Sequence, residues 1–433
     1  MPRCLSSLPV PGGPDALSIL PALAAALDGS GPALAPYEAG GDTPRQPPAL
    51  PPHDRDDVPD DLVVVVGTSG STGRPKLAML TASALTASAA ATAQRLGGEG
   101  DWLLALPAHH VAGLQVLLRA LAWDTTIVPL APAGPGFTTA AFVAATEQLR
   151  VGGGSRAYVS LVPTQLARLL ADHPGRPAAV AALAHYDAVL LGGAAADPRL
   201  VAAARDAGAR IVTTYGSSET CGGCVYDGEP LSGVSVAIGA DGRILLSGPM
   251  LAAGYLGDPA RTAQAFVSRG GLRHFVTDDL GHVEASTGLL VVDGRVDDAI
   301  TSGGLTVDPA TVEAALRSVL PAGWDAAAVG LPDPVWGEIV AAAIAPPPTP
   351  PPAPGRSAAP AATGDAVPGD ATAPDAAPDD ATAPDVARLR EALRDRLPPF
   401  AIPRILRVVR SLPTLAVGKT DRTALARALT GEE

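Results

Sequence analysis

The pattern of apolar and polar positions divides the chain into regions of different character. From Leu62 onward, short β-branched runs alternate with alanine-rich stretches of helical composition. The runs are LVVVV (62–66), TTIVPL (125–130), AYVSLVP (157–163), AVLLGG (188–193) and RIVTTYG (210–216). Helices are predicted between them, for example over residues 163–171 and 198–207. This alternation predicts βαβ units and a largely parallel sheet.

The pattern changes near Val234, where the runs become shorter and are broken by glycine and aspartate. The segments VSVAIGADGRILLSG (234–248) and GHVEASTGLLVVDGR (281–295) predict an antiparallel meander, and a small α+β unit begins near Val296. The first 60 residues, rich in proline, glycine and aspartate, show one helix, around residues 16–27.

These regions predict an α/β protein of two domains. A large N-terminal domain, residues 1–295, combines βαβ-layered sheets with a small antiparallel β subdomain. A small, mobile α+β C-terminal domain follows over residues 296–433.

The C-terminal domain is interrupted by residues 346–385, which are almost entirely Pro, Ala, Asp, Gly and Thr. Such a segment cannot bury enough apolar surface to offset the entropy of ordering it, so we expect a disordered surface insertion. Ordered structure should resume at Val386 with a helix.

Composition narrows the functional classes. The 433 residues carry a net charge of −13, which argues against nucleic acid or an anionic membrane as partner. No apolar run approaches the roughly 18–20 residues of a membrane helix. Three cysteines provide no disulfide framework, and no signal peptide is apparent, so a cytoplasmic protein without membrane insertion is predicted. The oligomeric state stays open, with a homodimer as one possibility.

The scarcity of lysine is the most informative feature of the composition. Only Lys76 and Lys419 occur in 433 residues, and the other basic side chains are arginine and histidine. Lys76 ends the stretch VGTSGSTGRPK (66–76), in which glycines let backbone N–H groups converge and hydroxyls add donors, as in a phosphate-binding loop. Neither this stretch nor AVGKTDR (416–422) fits the Walker A spacing, because Pro413 stands where the second would need its first glycine.

Five segments in order resemble the adenylate-forming superfamily, which includes acyl- and aryl-CoA synthetases, luciferases and the adenylation domains of peptide synthetases. They are TSGSTGRPK (68–76), TTYGSSET (213–220), VTDDLG (276–281), GRVDDAITSGGLTVDPATVE (294–313) and LPTLAVGKTDR (412–422). Five ordered matches make a far more specific signal than one glycine-rich loop.

The resemblance implies a role for individual residues. The phosphate clamp for ATP would comprise Thr68, Ser69, Gly70, Ser71, Thr72, Gly73 and Lys76. Tyr215 and Gly216 would lie at the adenine, with Gly192, Gly193 and Ala194 lining the nucleotide pocket. Asp279 and Arg295 would bind the ribose hydroxyls, Glu219 would bind Mg²⁺, and Lys419 would reach the substrate carboxylate and the α-phosphate.

These roles suit the chemistry that the resemblance implies. A carboxylate is a poor electrophile, and transfer to AMP gives a mixed anhydride with a good leaving group. Mg²⁺ and a lysine cation neutralise the charge that develops at the α-phosphorus. In the family, the small C-terminal domain then rotates about a pivot, which Asp297 matches. The rotation would bring Gly303 and Gly304 to the active site, where absent side chains make room for the pantetheine arm of coenzyme A.

Two features depart from the family pattern. The glycine of its T-G-D-L-G segment is Asp278 here, which adds a carboxylate near the ribose site. The N-terminal portion is also much shorter than is typical of the family.

The acid and its acceptor are less strongly indicated. The segment LPAHHVAGLQ (106–115) offers His110 and lacks the carboxylate that peptide-synthetase domains use for an amino group. An amino acid is thus disfavoured, and, because no carrier module follows residue 433, coenzyme A is the expected acceptor. Candidate acyl-pocket residues are His110, Ser160 and Thr164. His110 is either a wall of that pocket with a catalytic role near the thiol tunnel or a packed core residue.

Three stretches narrow the resemblance to family members that join an aromatic dicarboxylic acid to coenzyme A: SLVPTQLARLL (160–170), VLLGGAAA (189–196) and YGSSETCGGCVYDGEPLSGV (215–234). Within the last, Cys221 and Cys224 could be half of a zinc site, a redox pair or tightly packed core residues. Three other functions stay open: a ligase for another aryl or alkyl acid, a luciferase-like oxygenase, and a nucleotide-binding relative without catalytic activity.

Overall fold

The computed structural model describes residues 4–40, 47, 50–51, 58–68, 76–131, 136–152, 154, 156–321, 323–347, 384–414 and 420–431. The chain separates into two compact units, of which the first contains Met1–Asp297 and the second contains Asp298–Leu415 with Thr420–Glu433. Each unit has its own buried apolar clusters. None of the helices in the described ranges has the length and apolar character needed to cross a membrane.

The first unit begins with a four-stranded sheet in the order β1-β2-β3-β4. The strands are Leu5–Val10 (β1), Ala33–Glu38 (β2), Leu62–Thr68 (β3) and Lys76–Thr81 (β4). A 3₁₀ helix, Gly13–Ile19, and the helix Leu20–Asp28 (α1) connect the parallel strands β1 and β2. The sequence predicted a helix here but missed both strands, because each is short and contains a proline, which strands disfavour.

The run LVVVV forms β3, but it does not join the large parallel sheet as its pattern suggested. The chain reverses after β3 and pairs it antiparallel with β4, placing Thr68 opposite Lys76. The five residues 62–66 are at most 1% exposed, so both faces of β3 are covered. Burial on both faces gives the same continuous apolar run as a parallel strand, and the sequence could not distinguish the two.

A seven-stranded sheet follows in the order β11-β10-β9-β8-β7-β5-β6. Its strands are Asp101–Leu104 (β5), Ile127–Pro129 (β6), Ala157–Leu161 (β7), Ala188–Leu191 (β8), Ile211–Ser217 (β9), Gly222–Tyr226 (β10) and Glu229–Pro230 (β11). The strands β6, β5, β7, β8 and β9 are parallel, as predicted, whereas β10 and β11 are antiparallel additions.

The helices of this region are Ala82–Leu96 (α2), Val111–Trp123 (α3), Thr139–Val151 (α4), Pro163–Leu170 (α5), Arg176–His185 (α6) and Pro198–Asp206 (α7). Proline at the first or second position starts α5, α6 and α7, where its missing N–H costs no helical hydrogen bond. The predicted helices over 163–171 and 198–207 are therefore found nearly as expected.

The meander predicted after Val234 is a third, antiparallel sheet. It comprises Ser235–Ile238 (β12), Arg243–Ser247 (β13), Phe266–Arg269 (β14), Leu272–Val283 (β15) and Leu290–Arg295 (β16), with the helix Pro259–Ala265 (α8) before β14. The long strand β15 pairs with β13, β14 and β16, and its register with β16 places Asp279 opposite Arg295.

The second unit is an α+β fold around the antiparallel pair β19 and β20. Its elements are Ile300–Ser302 (β17), Leu305–Val307 (β18), Pro309–Val319 (α9), Asp325–Asp333 (β19), Gly337–Ala345 (β20), Val386–Leu393 (α10), Ile405–Val408 (β21) and Arg422–Thr430 (α11). The helix α10 begins at Val386, as predicted. Most of the proposed insertion, residues 348–383, lies outside the described residues.

Candidate active site

The loop after β8 and the end of β9 lie side by side at the carboxyl edge of the parallel strands, where open α/β sheets bind ligands. Gly192 donates its backbone N–H to Leu161 O at 3.2 Å. A Cβ at Gly192 would stand 2.2 Å from Thr214 Oγ1, so only glycine fits this approach to β9. Gly193 has a φ of +81°, which also favours glycine. The exposed Ala194 follows, next to the strand that carries Tyr215.

Tyr215, Asp279 and Arg295 form one connected group. The Tyr215 hydroxyl donates a hydrogen bond of 2.8 Å to Asp279 Oδ2. Arg295 Nη1 lies 3.3 Å from Asp279 Oδ1, an ion pair set by the direct register of β15 and β16. Burial, and then the neighbouring Asp279 carboxylate, raise the pKa of Tyr215 well above its ordinary value. The phenol therefore stays neutral and holds one oxygen of the carboxylate.

Glu219 lies in the short 3₁₀ helix Ser218–Thr220 and is 5% exposed. Its Oε1 accepts a hydrogen bond of 2.8 Å from the Tyr255 hydroxyl. Its backbone oxygen accepts from Ala252 N at 2.8 Å, which ties the turn to the segment that carries Tyr255. Burial and the Glu219 carboxylate raise the pKa of Tyr255 above its usual range. Tyr255 is thus a neutral donor that orients Glu219.

Lys76 begins β4 and points towards the third sheet. Its Nζ lies 3.4 Å from Asp278 Oδ2 and 6.0 Å from the centroid of the Tyr255 ring. Asp278 also receives Arg243 Nη1 at 3.0 Å and lies 3.9 Å from Arg295 Nη2. The extra carboxylate noticed in the sequence, Asp278, is thus the centre of a cluster of cations that includes Lys76, Arg243 and Arg295.

Most residues of the predicted phosphate clamp lie outside the described part of the chain. Ser69, Gly70, Ser71, Thr72 and Gly73 lie outside the described residues, and of Thr68 only the backbone is described. Lys419 also lies outside them. Their roles stay predictions.

The candidate acyl-pocket residues lie in or after two neighbouring strands, β5 and β7. Ser160 is 9% exposed near the end of β7, and the exposed Thr164 is in the first turn of α5, directly after that strand. His110 precedes α3, after the end of β5, and its ring packs at a tilt of 48° against that of His109, with centroids 4.2 Å apart. Because β5 and β7 are parallel neighbours, both connections leave the same edge of the sheet.

The two cysteines after Glu219 are core residues. Cys221 and Cys224 are free thiols, at most 1% exposed, and burial raises the pKa of Cys224 to about 12. Gln115 donates to the backbone oxygen of Cys221. A Cβ at Gly216 would stand 2.1 Å from the backbone oxygen of Gly222, so the glycines here let β9 and β10 pack closely. These observations favour tight packing among the alternatives left open for the Cys221–Cys224 pair.

In the second unit, Gly303 and Gly304 form the turn between β17 and β18, with φ angles of +61° and +79°. Gly303 N donates to Trp336 O at 2.8 Å, and a Cβ at Gly303 would meet the Trp336 ring at 2.7 Å. The predicted pivot, Asp297, directly precedes the second unit, which begins at Asp298, and its Oδ2 lies 3.9 Å from Arg295 Nη2.

Sequence reasoning missed Tyr255 and Arg243. Tyr255 reaches Lys76 and Glu219 because its backbone forms an isolated antiparallel bridge with Ala78 of β4. Arg243 reaches Asp278 because β13 pairs with β15. Neither residue lies in one of the five family segments, and only the sheet pairing shows their position.

Comparison with known proteins identifies the family. A family model described as AMP-binding enzyme matches residues 20–256, more than half of the chain. The chain is 43% identical over 431 residues to a Mycobacterium tuberculosis protein named probable 2-succinylbenzoate–CoA ligase, with 99% of both chains covered. It is 31% identical over 303 residues to the 2-succinylbenzoate–CoA ligase of a Geobacillus species, covering 65% of this chain and 58% of that relative.

A solved structure agrees with these relatives. The o-succinylbenzoate CoA synthetase of Bacillus subtilis, in complex with the acyl-adenylate intermediate OSB-AMP, matches with a TM-score of 0.63 at 25% identity, covering 84% of this chain and 69% of that chain. The predicted resemblance, the adenylate-forming fold and the class of AMP-forming CoA ligase are thereby confirmed. The chain belongs to the AMP-binding enzyme family.

Proposed function

We propose that the protein is an o-succinylbenzoate–CoA ligase of menaquinone biosynthesis. It uses ATP to convert the acid to an acyl-adenylate, with release of pyrophosphate, and then transfers the acyl group to the thiol of coenzyme A, with release of AMP. The observation that carries the proposal is the 43% identity to a relative of that name over 99% of both chains. The match spans both compact units of the chain.

In this proposal Tyr215, Asp279 and Arg295 bind the adenosine half of ATP. Asp279 is suited to a ribose diol, because a carboxylate accepts two hydrogen bonds and its orientation is already fixed by Tyr215 and Arg295. Gly192, Gly193 and Ala194 border the base, where the exposed backbone of the loop leaves room for it. Gly216 continues this border at the end of β9.

Glu219 is the proposed ligand for Mg²⁺, and the residue fits that ion. Mg²⁺ prefers oxygen ligands and is commonly held by one or two carboxylates together with substrate phosphates. Tyr255 orients the Glu219 carboxylate, as partners of metal ligands usually do. The described residues contain no group of three or more His, Cys, Asp or Glu side chains that could hold a metal. We expect the phosphates of the nucleotide to supply further oxygen ligands. When bound, the ion neutralises charge on the triphosphate.

The two lysines serve the first half-reaction. Lys76 neutralises the β- and γ-phosphates together with the loop residues 69–73. Lys419 stabilises the α-phosphate while a carboxylate oxygen of the acid forms a bond to the α-phosphorus and the bond to pyrophosphate breaks. A preorganised cation at developing negative charge is a large catalytic term, and a lysine suits a charge carried on a flexible stem.

The second half-reaction requires a different arrangement of the C-terminal domain. We assign the pivot to Asp297, where the two compact units meet in the chain. The turn at Gly303 and Gly304 then lies beside the pantetheine arm, because neither residue adds a side chain and no atom lies within 4 Å of where a Cβ at Gly304 would stand. The CoA thiolate attacks the acyl carbon, and AMP leaves with the electrons of the acyl–phosphate bond.

The acyl pocket is assigned to His110, Ser160 and Thr164, with His110 also close to the path of the thiol. The second carboxylate of the substrate needs donors or a cation, since an unpaired buried charge is costly. An arginine such as Arg156 or Arg168, or hydroxyls and ordered water near Ser160, could serve. Arg168 donates a hydrogen bond to the backbone oxygen of Phe137, and Arg156 is the weaker candidate. Arg156 packs against Gly98 and Gly100 before the start of β7, at the opposite end of the strand from the edge used by Ser160 and Thr164.

The proposed working form is a cytoplasmic monomer or homodimer whose partners are small molecules. The net charge of −13 supports the absence of a nucleic-acid partner. ATP, Mg²⁺ and coenzyme A are the proposed cofactors and co-substrates.

Pyrophosphate release by the full chain tests the function. We expect acid-dependent release with o-succinylbenzoate, a thioester on its succinyl carboxylate only when CoA is added, and a kcat/KM at least about tenfold above those for benzoate and octanoate. Glu219→Gln should lower the rate by about 100-fold or more. The matched control is Glu229→Gln, because the Glu229 side chain is 62% exposed and should be dispensable. Equal kcat/KM values for the three acids would remove the named substrate and leave the ligase class intact.

A further inference from the structure

Asp278 is surrounded by three cations of the candidate active site. Arg243 Nη1 lies 3.0 Å from its Oδ1, Lys76 Nζ lies 3.4 Å from its Oδ2, and Arg295 Nη2 lies 3.9 Å from the same oxygen. The three cations come from β4, β13 and β16, and only Asp278 contacts all of them in the described part of the chain. Its side chain is 30% exposed, so the cluster is accessible from solvent.

A carboxylate at position 278 departs from the pattern of the family. In the family segment that 276–281 resembles, the corresponding residue is glycine, which brings no charge. A glycine there would leave Lys76 without this partner, and a polyphosphate would meet its full charge. With aspartate, an incoming anion must displace an existing ion pair before it can use Lys76.

We propose that Asp278 is an internal counter-anion that competes with the β- and γ-phosphates of ATP, and with pyrophosphate, for Lys76. It thereby sets the affinity of this enzyme for polyphosphates and has little influence on AMP, which lacks those groups. The inference rests on the proposed role of Lys76 as a phosphate ligand, and it deepens that assignment.

Geometry makes Lys76 the cation that the loss of Asp278 affects most. Arg295 Nη2 lies 3.9 Å from Asp278, but Arg295 Nη1 keeps its closer contact of 3.3 Å with Asp279 when Asp278 is replaced. Asp279, the next residue, faces Tyr215 and Arg295 and does not need Asp278 for its orientation. Arg243 has a second acidic partner, Asp241, whose Oδ2 lies 3.4 Å from Arg243 Nε. Removing the charge of Asp278 therefore leaves Arg243 paired and releases Lys76.

Calorimetric binding of ATP, pyrophosphate and AMP to wild type and to Asp278→Asn provides the test, with no acid present. Replacing one partly exposed charge should tighten ATP and pyrophosphate about five- to tenfold and leave AMP within about twofold. Asp278→Gly should show the same selectivity. Raising the salt concentration should reduce the difference between variant and wild type, because screening weakens the ion pair that is removed.

Asp241→Asn is the matched control, because it also removes a carboxylate that pairs with Arg243. The Asp241 side chain is 65% exposed, so this replacement should leave the affinities for ATP, pyrophosphate and AMP unchanged. The proposal is wrong if both Asp278 variants weaken all three ligands together, which would mark a structural role. It is also wrong if ATP weakens only in the presence of Mg²⁺, which would make Asp278 a metal ligand. Because the measurement needs no acid, its outcome is independent of whether o-succinylbenzoate is the substrate.

Discussion

Asp279→Asn is the sharpest test of the nucleotide assignment, because the replacement keeps the shape of the side chain and removes its charge. Two contacts change: the 2.8 Å hydrogen bond from Tyr215 and the 3.3 Å ion pair with Arg295. A hydrogen bond to a charged group contributes about 1.5–3 kcal/mol. The Arg295 side chain is 44% exposed, so its pairing adds less than about 1 kcal/mol after screening by solvent.

The expected loss follows from the contacts that the ribose would lose. About 2 kcal/mol of binding corresponds to a roughly 30-fold fall in kcat/KM for ATP. Because the acid binds elsewhere, its KM at saturating ATP should stay within about twofold. Initial rates of pyrophosphate release, measured with each substrate varied in turn, give both values.

Two further variants control the interpretation. Tyr215→Phe keeps the ring that we propose lies against the adenine and removes only the donor to Asp279, so it should cost less than Asp279→Asn. Asp293→Asn removes an acid of the same sheet that pairs with His282 at the surface, 3.0 Å away, and should change nothing. An equal rise of KM for ATP and for the acid in Asp279→Asn would show a general disturbance of the fold and refute the ribose assignment.

Three other predictions address the remaining parts of the chain. Gly303→Ala should slow thioester formation at least about tenfold with little effect on adenylation. The reason is that the new Cβ would meet the Trp336 ring at 2.7 Å, at a backbone φ of +61° that disfavours alanine. Equal losses in separate assays of the two half-reactions would exclude a role specific to the thiol step. Lys419→Ala should slow adenylation about 10²–10³-fold and spare thioester formation from supplied acyl-adenylate, and loss of both steps would refute the assignment. Burial raises the pKa values of the Cys221 and Cys224 thiols, so the free energy of unfolding should fall above about pH 8.5, where the unfolded thiols ionise, by up to about 1.4 kcal/mol per pH unit for each thiol. Denaturant titrations between pH 8 and 10 should show a weaker dependence of this free energy on pH for the double alanine variant. An unchanged dependence would exclude these thiols as its cause.

The sequence predicted strands and helices correctly where the residue pattern within a single segment was sufficient. The runs at β7, β8 and β9 and the alanine-rich stretches between them predicted the parallel sheet, because this alternation can be seen within short segments. The run at β3 was assigned to the wrong sheet, since burial on both faces produces the same pattern in a hairpin strand. Strands β1 and β2 were missed because each contains a proline.

The residues of the candidate active site also fall into those that the sequence predicted and those that it missed. Tyr215, Asp279 and Arg295 were each predicted from a motif, and the structure brings them into contact. Tyr255 and Arg243 were out of reach, because strand pairing over long separations places them beside Lys76 and Asp278. A single sequence contains no signal for such pairings.

The retention of lysine at position 76, in a chain that uses arginine almost everywhere else, is consistent with the contact to Asp278. An arginine facing a carboxylate forms two parallel hydrogen bonds, and this fixed geometry favours a lasting pair. A lysine forms a point contact at 3.4 Å and can turn to another anion at little cost. If Asp278 and the phosphates of ATP alternate as partners of one cation, that cation must release each of them within a catalytic cycle. Arg243, which pairs with both Asp241 and Asp278, has the opposite requirement, since it holds one side of the cluster in place. Around Asp278, a lysine thus occupies the position whose cation must change partners, and an arginine occupies a position whose cation must keep them.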